Sequence, residues 1–378
     1  MTAIQARQSN NAAPSTDTTL PALTGLRGVA ALVVVWVHVH KPVGSENFTT
    51  ILDKVLQFGW VGVPLFFILS GFLITWLALQ EIESTGRFHL RAFLLRRSLR
   101  IMPLYFFIVT LGLAAAHAPL HLLSNLGVPG NWAFPLLTFT TNFAIAARHT
   151  AYQLNGLVVL WSLSAEIQFY IIWSICLKLF TRKRLEIIAM AGLALSFAVR
   201  LTSTESDFFI YREQAAVSLG SLMMGCLAAL FFDSTRKALR HPRRIEPVLV
   251  AAIFATTIAA CPTPESTAGK CALITAIDIE CALLLLLAAH SRGSLARLFK
   301  TKGLQFAGEI SYPLYVFHPI AIAIYYNALH HFHIREPHSW LRTGLEYIVI
   351  ILITAAVSTL WNTIEKPLRR MRRRSAAH

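Results

Sequence analysis

The stretch LRGVAALVVVWVHVH, residues 26–40, decides how the rest of the chain is interpreted. Two-thirds of it is Val, Ala and Leu, a composition suited to the interior of a bilayer. It nevertheless carries Arg27 near its start and His38 near its end. Eleven residues of α-helix make about three turns, so both side chains are predicted on one face, about 16 Å apart. Because ionisable groups cost about 2.5–3.5 kcal/mol each inside a membrane, both residues are candidates for function.

The composition of the whole chain indicates an all-α integral membrane protein without a sizeable soluble domain. Of its 378 residues, 55% are hydrophobic and 14% are charged, whereas a soluble domain carries about 25% charged residues. Apolar runs long enough to cross a bilayer as helices recur along the chain, and we predict about ten transmembrane helices. The predicted spans are residues 23–41, 60–80, 98–116, 158–180, 186–203, 213–232, 246–262, 271–289, 309–329 and 342–363.

The distribution of basic residues predicts that the N- and C-termini are both cytoplasmic. With that orientation, all but eight of the 34 Lys and Arg residues fall on the cytoplasmic side, as the positive-inside rule requires. The net charge of +15 is therefore attributed to topology and to contact with anionic lipid, not to nucleic acid. The eight on the outer side are Lys41, Lys54, Arg148, Arg200, Arg212, Lys270, Arg335 and Arg342.

The chain is predicted to consist of one membrane domain between two polar ends. Residues 1–19 are polar and expected to be disordered. They lack the features of a cleaved signal peptide, so the first span is expected to remain as an anchor. Residues 20–368 form the transmembrane domain, and residues 369–378 form a basic cytoplasmic tail. The long outer stretch 117–157 is expected to pack as a lid over the membrane region.

Further ionisable and hydroxyl side chains inside the predicted spans are candidate site residues. Arg97 and Arg100 are three residues apart and share a helix face, as do Arg96 and Arg100, an arrangement suited to gripping phosphate. Positive-inside charge alone accounts for this triplet equally well. Ser162 and Glu166 share a face of another span. The remaining candidates are Ser70, Asp278, Glu280, His318 and Glu365.

Six stretches of the chain together resemble the membrane-bound acyltransferase family 3. This family includes O-acetyltransferases of bacterial O-antigens, exopolysaccharides and Nod factors. The resemblance covers about residues 20–370 and keeps the order of the motifs. The stretches are LTGLRGVAALVVVWVH, GVPLFFILSGFLIT, FLLRRSLRIMPLY, WSLSAEIQFY, GEISYPLYVFHP and IEKPLRR.

The resemblance implies an enzyme of the bacterial inner membrane. Such enzymes take an acyl group, usually acetyl, from cytoplasmic acyl-CoA. They pass it to a hydroxyl of a glycan or glycoconjugate acceptor at the outer side. Some members carry a fused extracytoplasmic hydrolase-like domain, and none is expected here. The family's functional positions fall on Arg27, His38, Arg97, Arg100, Glu166 and Glu365.

The resemblance and the chemistry of the side chains together assign expected roles. Arg97 and Arg100, with the adjacent Arg96, are expected to hold the phosphates of acyl-CoA, and no metal is expected. His38 is expected to act as general base on the acceptor hydroxyl, or to carry the acyl group itself. Glu166 is expected to hold the imidazole of His38 in its reactive tautomer.

Three other interpretations compete with this assignment. A transporter or flippase would also line its path with intramembrane charge, although the chain lacks obvious inverted repeats. Arg27 could snorkel to the interface, and His38 could be hydrogen-bonded within the bundle. The stretch HHFHIREPH (330–338) could hold a metal, although no carboxylate or cysteine set completes a recognisable pattern. Separately, Cys261 and Cys271 flank a short outer loop and could form a disulfide in an oxidising compartment.

Overall fold

The computed structural model describes nine parts of the chain, and almost all of their residues are helical. These parts contain no β-strand. The predicted disordered segment 1–19 and the predicted basic tail 369–378 lie outside the described residues. The described parts are residues 20–39, 58–117, 127–149, 151–202, 213–239, 241–259, 266–290, 293–333 and 340–365.

Each of the ten predicted spans coincides with a helix of the described residues. Short 3₁₀ turns lie at Phe58–Val61, Gly130–Trp132 and Tyr152–Leu157. The α-helices, in chain order, are α1 (Pro21–Val39), α2 (Gly62–Thr85), α3 (Leu90–Ala115), α4 (Ala133–Leu137), α5 (Thr141–Arg148), α6 (Leu160–Leu179), α7 (Arg182–Leu201), α8 (Glu213–Leu230), α9 (Phe232–Ala238), α10 (Pro242–Ala259), α11 (Thr267–His290), α12 (Ser294–Phe299), α13 (Lys302–Glu309), α14 (Ser311–His331) and α15 (Trp340–Ile364).

Six helical segments of the described residues are long and apolar enough to cross a membrane, which makes the chain a multi-pass membrane protein. Within the described residues, the other four predicted spans do not meet this requirement of length and apolar composition. Helix α14, for example, contains four tyrosines and three histidines, which lower its mean hydropathy. The number of ten crossings and the cytoplasmic termini therefore stay predictions. The six are Pro21–Val39, Phe58–Thr85, Leu90–Ala115, Gln153–Leu179, Thr267–His290 and Arg342–Ile364.

Helix α1 lies at the centre of the bundle, in contact with α2, α11, α12, α13, α14 and α15. Its apolar residues are buried on nearly all sides, as expected for a helix that has neighbours all round. Arg27 is half-buried and His38 is exposed, so the two charged positions lie towards opposite ends of a helix that is otherwise core. The rest of the fold therefore builds a site around both ends of α1.

Helices α2 and α8 approach each other closely because glycines face the partner's backbone. A Cβ atom on Gly71 of α2 would meet the carbonyl of Leu222 on α8. A Cβ atom on Gly225 of α8 would meet the carbonyl of Ile68 on α2. Small residues at such a crossing let two backbones pack without a gap. Gly71, in the quoted stretch GVPLFFILSGFLIT, is therefore a packing residue.

The described part of the predicted lid, residues 127–149 and 151–157, packs against the long helices α3 and α6. The hydroxyl of Tyr105 on α3 donates to the carbonyl of Leu136 at 2.7 Å. The amide of Gln168 on α6 donates to the carbonyl of Phe139 at 2.6 Å and to the Asn142 side chain at 3.0 Å. Phe139 itself has a φ of 56°, an uncommon conformation for a bulky residue. The segment is thus fixed at several points to the membrane helices.

The two acidic residues of α11 have partners inside the bundle, away from the site described below. Asp278 forms an ion pair with Arg200 of α7 at 3.2 Å, with both side chains almost fully buried. The hydroxyl of Ser221 on α8 donates to Asp278 at 2.6 Å. Glu280 accepts a hydrogen bond from Thr256 of α10 at 2.6 Å. These contacts tie α7, α8, α10 and α11 together. Arg200, which was counted above among the basic residues of the outer side, is the partner of Asp278 in this ion pair.

Candidate functional site

Five helices enclose a cavity in which predicted arginines meet a predicted carboxylate. The volume that the centres of water molecules could occupy is about 70 Å³. This is enough room for a few water molecules or a slender chain. Three guanidinium groups and one carboxylate are its charged lining, so the cavity carries a surplus of positive charge. We call it the arginine cavity. Its polar lining consists of Arg27, Ser70, Arg97, Arg100, Ser162, Glu166, Tyr170, Ser311, Tyr312 and Tyr315.

Helical spacing explains why these side chains converge. Arg97 and Arg100 lie three residues apart on α3, and Glu166 and Tyr170 lie four apart on α6. Residues at these spacings point to the same side of a helix. Arg27 comes from the N-terminal third of the central helix α1. The structure brings Arg27, Arg97, Arg100 and Glu166 together in one cavity, and their expected roles stay predictions.

Glu166 is held by two hydroxyl groups inside the arginine cavity. The hydroxyls of Ser70 on α2 and Tyr170, one turn further along α6, both donate to the same carboxylate oxygen. A carboxylate that accepts two hydrogen bonds keeps a fixed position. The expected contact between Glu166 and the imidazole of His38 is not formed in the structure, where Glu166 is bound by Ser70 and Tyr170 and His38 by the Val34 carbonyl.

Arg96 and Arg97 are neighbours on α3, but their guanidinium groups have different surroundings. Arg97 lies over the ring of Tyr170 at 5.4 Å and over that of Phe93 at 5.5 Å. Such cation–π contacts orient the flat group without using its hydrogen-bond donors, which remain available to an anion. Arg96 is not part of the cavity. It points to Glu81 of α2 at 3.7 Å, so the structure does not group it with Arg97 and Arg100.

His38 and His318 form a pair at the other end of α1. Their ring centroids lie 4.9 Å apart in an edge-to-face arrangement. The Nδ1 atom of His38 donates to the carbonyl of Val34 at 2.8 Å. Since a carbonyl can only accept, Nδ1 carries the proton and Nε2 keeps a free lone pair. A backbone carbonyl therefore fixes the tautomer that was expected to depend on Glu166.

Tyr315 connects the arginine cavity with the histidine pair. Its side chain lines the cavity, and its ring centroid lies 5.7 Å from that of His318. Its hydroxyl shares a hydrogen bond with Ser162 at 2.8 Å. The predicted candidate Ser162 thus lies in the cavity wall, between the charged end and the histidine end.

Glu365 lies apart from the lining of the arginine cavity. It is buried at the end of α15 and accepts a hydrogen bond from the indole of Trp361 at 2.6 Å. Tyr312 of the cavity wall is an electrostatic neighbour of this carboxylate. The assignment of Glu365 as a functional position, implied by the family resemblance, stays a prediction.

Two other sequence predictions concern the loops. The described residues contain no cluster of three or more His, Cys, Asp and Glu side chains that could hold a metal ion. His338 of the histidine-rich stretch lies outside the described residues, as does Cys261. The disulfide between Cys261 and Cys271 therefore stays a prediction.

Sequence reasoning overlooked the three tyrosines of the cavity wall. Tyr170, Tyr312 and Tyr315 lie within two of the stretches quoted above, WSLSAEIQFY and GEISYPLYVFHP. A signal was present, because Tyr170 follows Glu166 by four residues and therefore faces the same side. Tyrosine is common in membrane helices near the interface, so its presence alone did not mark it as a site residue.

Comparison with known proteins identifies the family of the chain. The sequence model of the family described as "Acyltransferase domain" matches residues 20–362. Peptidoglycan O-acetyltransferase OatA of Listeria monocytogenes serovar 1/2a is 25% identical over 93% of this chain and 56% of its own length. The putative peptidoglycan O-acetyltransferase YrhL of Bacillus subtilis is 25% identical over 93% of this chain and 55% of its own. Putative O-acetyltransferases of Staphylococcus aureus are 25% identical over 82% of this chain and 51% of theirs.

These matches cover most of this chain but only part of each relative. The chain spans about half the length of the curated relatives it matches. No solved structure matches the chain. The family match extends from the start of α1 into the last turn of α15 and includes all residues of the arginine cavity and the histidine pair. The chain belongs to this acyltransferase family.

Proposed function

We propose that the chain is a transmembrane O-acyltransferase of the bacterial inner membrane. It takes an acyl group, in the first instance acetyl, from cytoplasmic acyl-CoA and transfers it to a hydroxyl of a glycan acceptor at the outer side. The observation that carries the proposal is the arginine cavity, together with an imidazole three turns further along the same helix. One end suits an anionic donor, and the other suits proton transfer.

The donor end follows from charge and geometry. Coenzyme A carries phosphate groups, and guanidinium forks bind phosphate with paired, charge-assisted hydrogen bonds. Arg27, Arg97 and Arg100 offer these groups from two helices, with only one carboxylate beside them. The negative charge of Glu166, held by Ser70 and Tyr170, limits the mutual repulsion of the guanidinium groups. The narrow cavity would admit a slender pantetheine arm from the phosphate end towards the histidine pair.

The acceptor end is assigned to His38. Its Nδ1–H is bound to the carbonyl of Val34, so Nε2 is the atom that can take a proton. The acceptor oxygen bonds to the acyl carbon while its proton passes to Nε2. The carbon–sulfur bond then breaks, and the thiolate of coenzyme A receives that proton. His38 acts as general base in the first half and general acid in the second.

The acceptor class is proposed from the relatives. OatA is named for peptidoglycan O-acetylation. A cell-envelope glycan presented at the outer face of the inner membrane fits the exposed position of His38. The proposed orientation, with both termini cytoplasmic, puts Arg27 towards the acyl-CoA side and His38 towards the glycan side. The alternative of a transporter without covalent chemistry is disfavoured by the family match.

The experiment that tests the proposal follows the acyl group. Membranes that contain the chain receive acetyl-CoA with a radiolabelled acetyl group and solubilised peptidoglycan strands. The proposal expects alkali-labile label on the glycan and release of the coenzyme A thiol in equal amounts. Thiol release without labelled glycan would indicate hydrolysis only. Movement of unmodified glycan across sealed vesicles, without label, would support the transporter.

A further inference from the structure

The Nε2 atom of His318 is a buried hydrogen-bond acceptor that no side chain in the described part of the chain satisfies. His318 is fully buried in α14, and Nε2 has no hydrogen-bond partner. Buried polar atoms normally find a partner, because an unmade hydrogen bond is costly. The exception lies beside the proposed base, and the proposed mechanism makes no use of it.

Pro319 explains why this nitrogen accepts and cannot donate. In an α-helix the backbone N–H of residue 319 would donate to the carbonyl of Tyr315, but proline has no N–H. The Nδ1 atom of His318 takes its place and donates to that carbonyl at 2.7 Å. The proton of the neutral ring is therefore on Nδ1, and Nε2 presents a lone pair. The dipeptide His318–Pro319 thus fixes the tautomer.

His38 has the same arrangement on the facing helix. Each ring is tied through Nδ1 to a carbonyl of its own helix, so each Nε2 is directed away from that helix. The two rings lie 4.9 Å apart at their centroids. His38 is exposed, whereas His318 is buried against it. One lone pair is therefore on an exposed side chain, and the other is on the buried side chain that packs against it.

The chemistry of this end is the opposite of that in the arginine cavity. Guanidinium groups donate and select an anion, whereas two imidazole lone pairs accept and select groups that donate. Neutral donors such as hydroxyl and amide N–H fit, while phosphate and carboxylate do not. An acceptor held by both rings must carry two donors near each other.

We propose that His318 binds the acyl acceptor through Nε2. The proposal rests on the proposed function. His38 takes the proton of the reacting hydroxyl, while His318 accepts a hydrogen bond from a second donor on the same glycan, an adjacent hydroxyl or an acetamido N–H. His318 thereby sets the orientation of the reacting hydroxyl. The acceptor class is a glycan unit with two neighbouring donors, and a simple mono-alcohol should be a poor substrate.

Two variants of His318 separate binding from a merely structural role. His318→Asn ends at the position of Nδ1, so its amide can still donate to the Tyr315 carbonyl while the acceptor at Nε2 is lost. His318→Gln reaches the position of Nε2 with a carbonyl oxygen but loses the bond to Tyr315. The measurement is acetyl transfer to peptidoglycan strands in membranes, as a function of glycan and of acetyl-CoA concentration. Unfolding in detergent is measured in parallel.

The expected results run in opposite directions for the two variants. His318→Asn keeps the stability of the wild type but raises KM for the glycan about tenfold, with KM for acetyl-CoA unchanged. His318→Gln is the less stable variant but keeps KM for the glycan within about threefold of the wild type. If activity follows stability, so that Asn is nearly normal and Gln is impaired, the proposal is overturned. Wild-type membranes that transfer no acetyl group would instead overturn the proposed function, and this proposal with it.

Discussion

Replacement of Arg97 by glutamine tests whether the arginine cavity binds the acyl donor. Arg97 lies in the cavity and rests on Tyr170 and Phe93, whereas its neighbour Arg96 points away to Glu81. Both residues contribute one positive charge at the same end of α3. Arg96→Gln is therefore a matched control, because it changes membrane topology signals as much as Arg97→Gln does.

The magnitude follows from the contacts. A charge-assisted hydrogen bond contributes about 1.5–3 kcal/mol, and 1.4 kcal/mol is about tenfold in affinity. Arg100 and Arg27 remain in the cavity, so the lower half of that range applies to Arg97→Gln. We expect KM for acetyl-CoA to rise about 10- to 50-fold, with KM for the glycan unchanged. Arg96 loses only a partly exposed ion pair of about 0–1 kcal/mol, which should leave KM within about twofold.

The assay is the initial rate of coenzyme A thiol release against acetyl-CoA concentration, at saturating glycan. Membranes are matched for the amount of protein by immunoblot. Equal effects of Arg96→Gln and Arg97→Gln on KM for acetyl-CoA would refute the reasoning. The basic residues at the start of α3 would then be positive-inside charge and nothing more.

Three further predictions follow from the packing and the site. Asp278→Asn should destabilise the bundle by about 3–5 kcal/mol because it leaves Arg200 buried and uncompensated. The double variant with Arg200→Met and Asp278→Leu should recover much of that loss of stability. Unfolding in detergent measures both variants, and an equal loss of stability in the two would contradict the prediction. Gly225→Val should separate α2 from α8 and cost at least about 1–3 kcal/mol, whereas Gly344→Val, which faces open space, should be nearly neutral in the same assay. Tyr170→Phe removes one hydrogen bond to the carboxylate of the cavity and should raise KM for acetyl-CoA about 3- to 10-fold; an unchanged KM would mean that the carboxylate needs no such support.

Residue spacing along single helices predicted much of the fold and which arginines of α3 share a face. Arg27 and His38 were assigned to opposite ends of one helix from eleven residues of separation, and the structure has them there. Arg97 and Arg100 were paired by a spacing of three, and both line the cavity. These inferences succeed because helical geometry fixes which side chains share a face, whatever the neighbouring helices do.

Contacts between helices were predicted less well, because they depend on depth and rotation, which a single sequence does not encode. Glu166 was expected to hold the imidazole of His38, but its hydrogen-bond partners are Ser70 and Tyr170. Asp278 had no assigned partner, since Arg200 lies far away in sequence and had been counted as outer-side charge. Ser70 and Arg200 each lie on another helix than the carboxylate they bind.

The tautomer of the histidine pair was within reach of the sequence. Proline directly after His318 leaves one helical carbonyl without its backbone donor, and a neighbouring imidazole is a natural replacement. The stretch YVFHP therefore contained the information that Nε2 of His318 accepts. It was overlooked because His318 was assessed as a charge inside a membrane and not as the neighbour of a missing N–H.

The central claim is that His38 carries out the proton transfer of an acyl transfer reaction. The most direct test is the glycan-stimulated release of coenzyme A thiol from acetyl-CoA by membranes containing His38→Ala. His89→Ala, which changes an exposed histidine outside the site, serves as the control. We predict wild-type rates for His89→Ala and a loss of about a hundredfold or more for His38→Ala, as expected for a general base. Equal rates for the two variants would remove His38 from the chemistry and contradict the account.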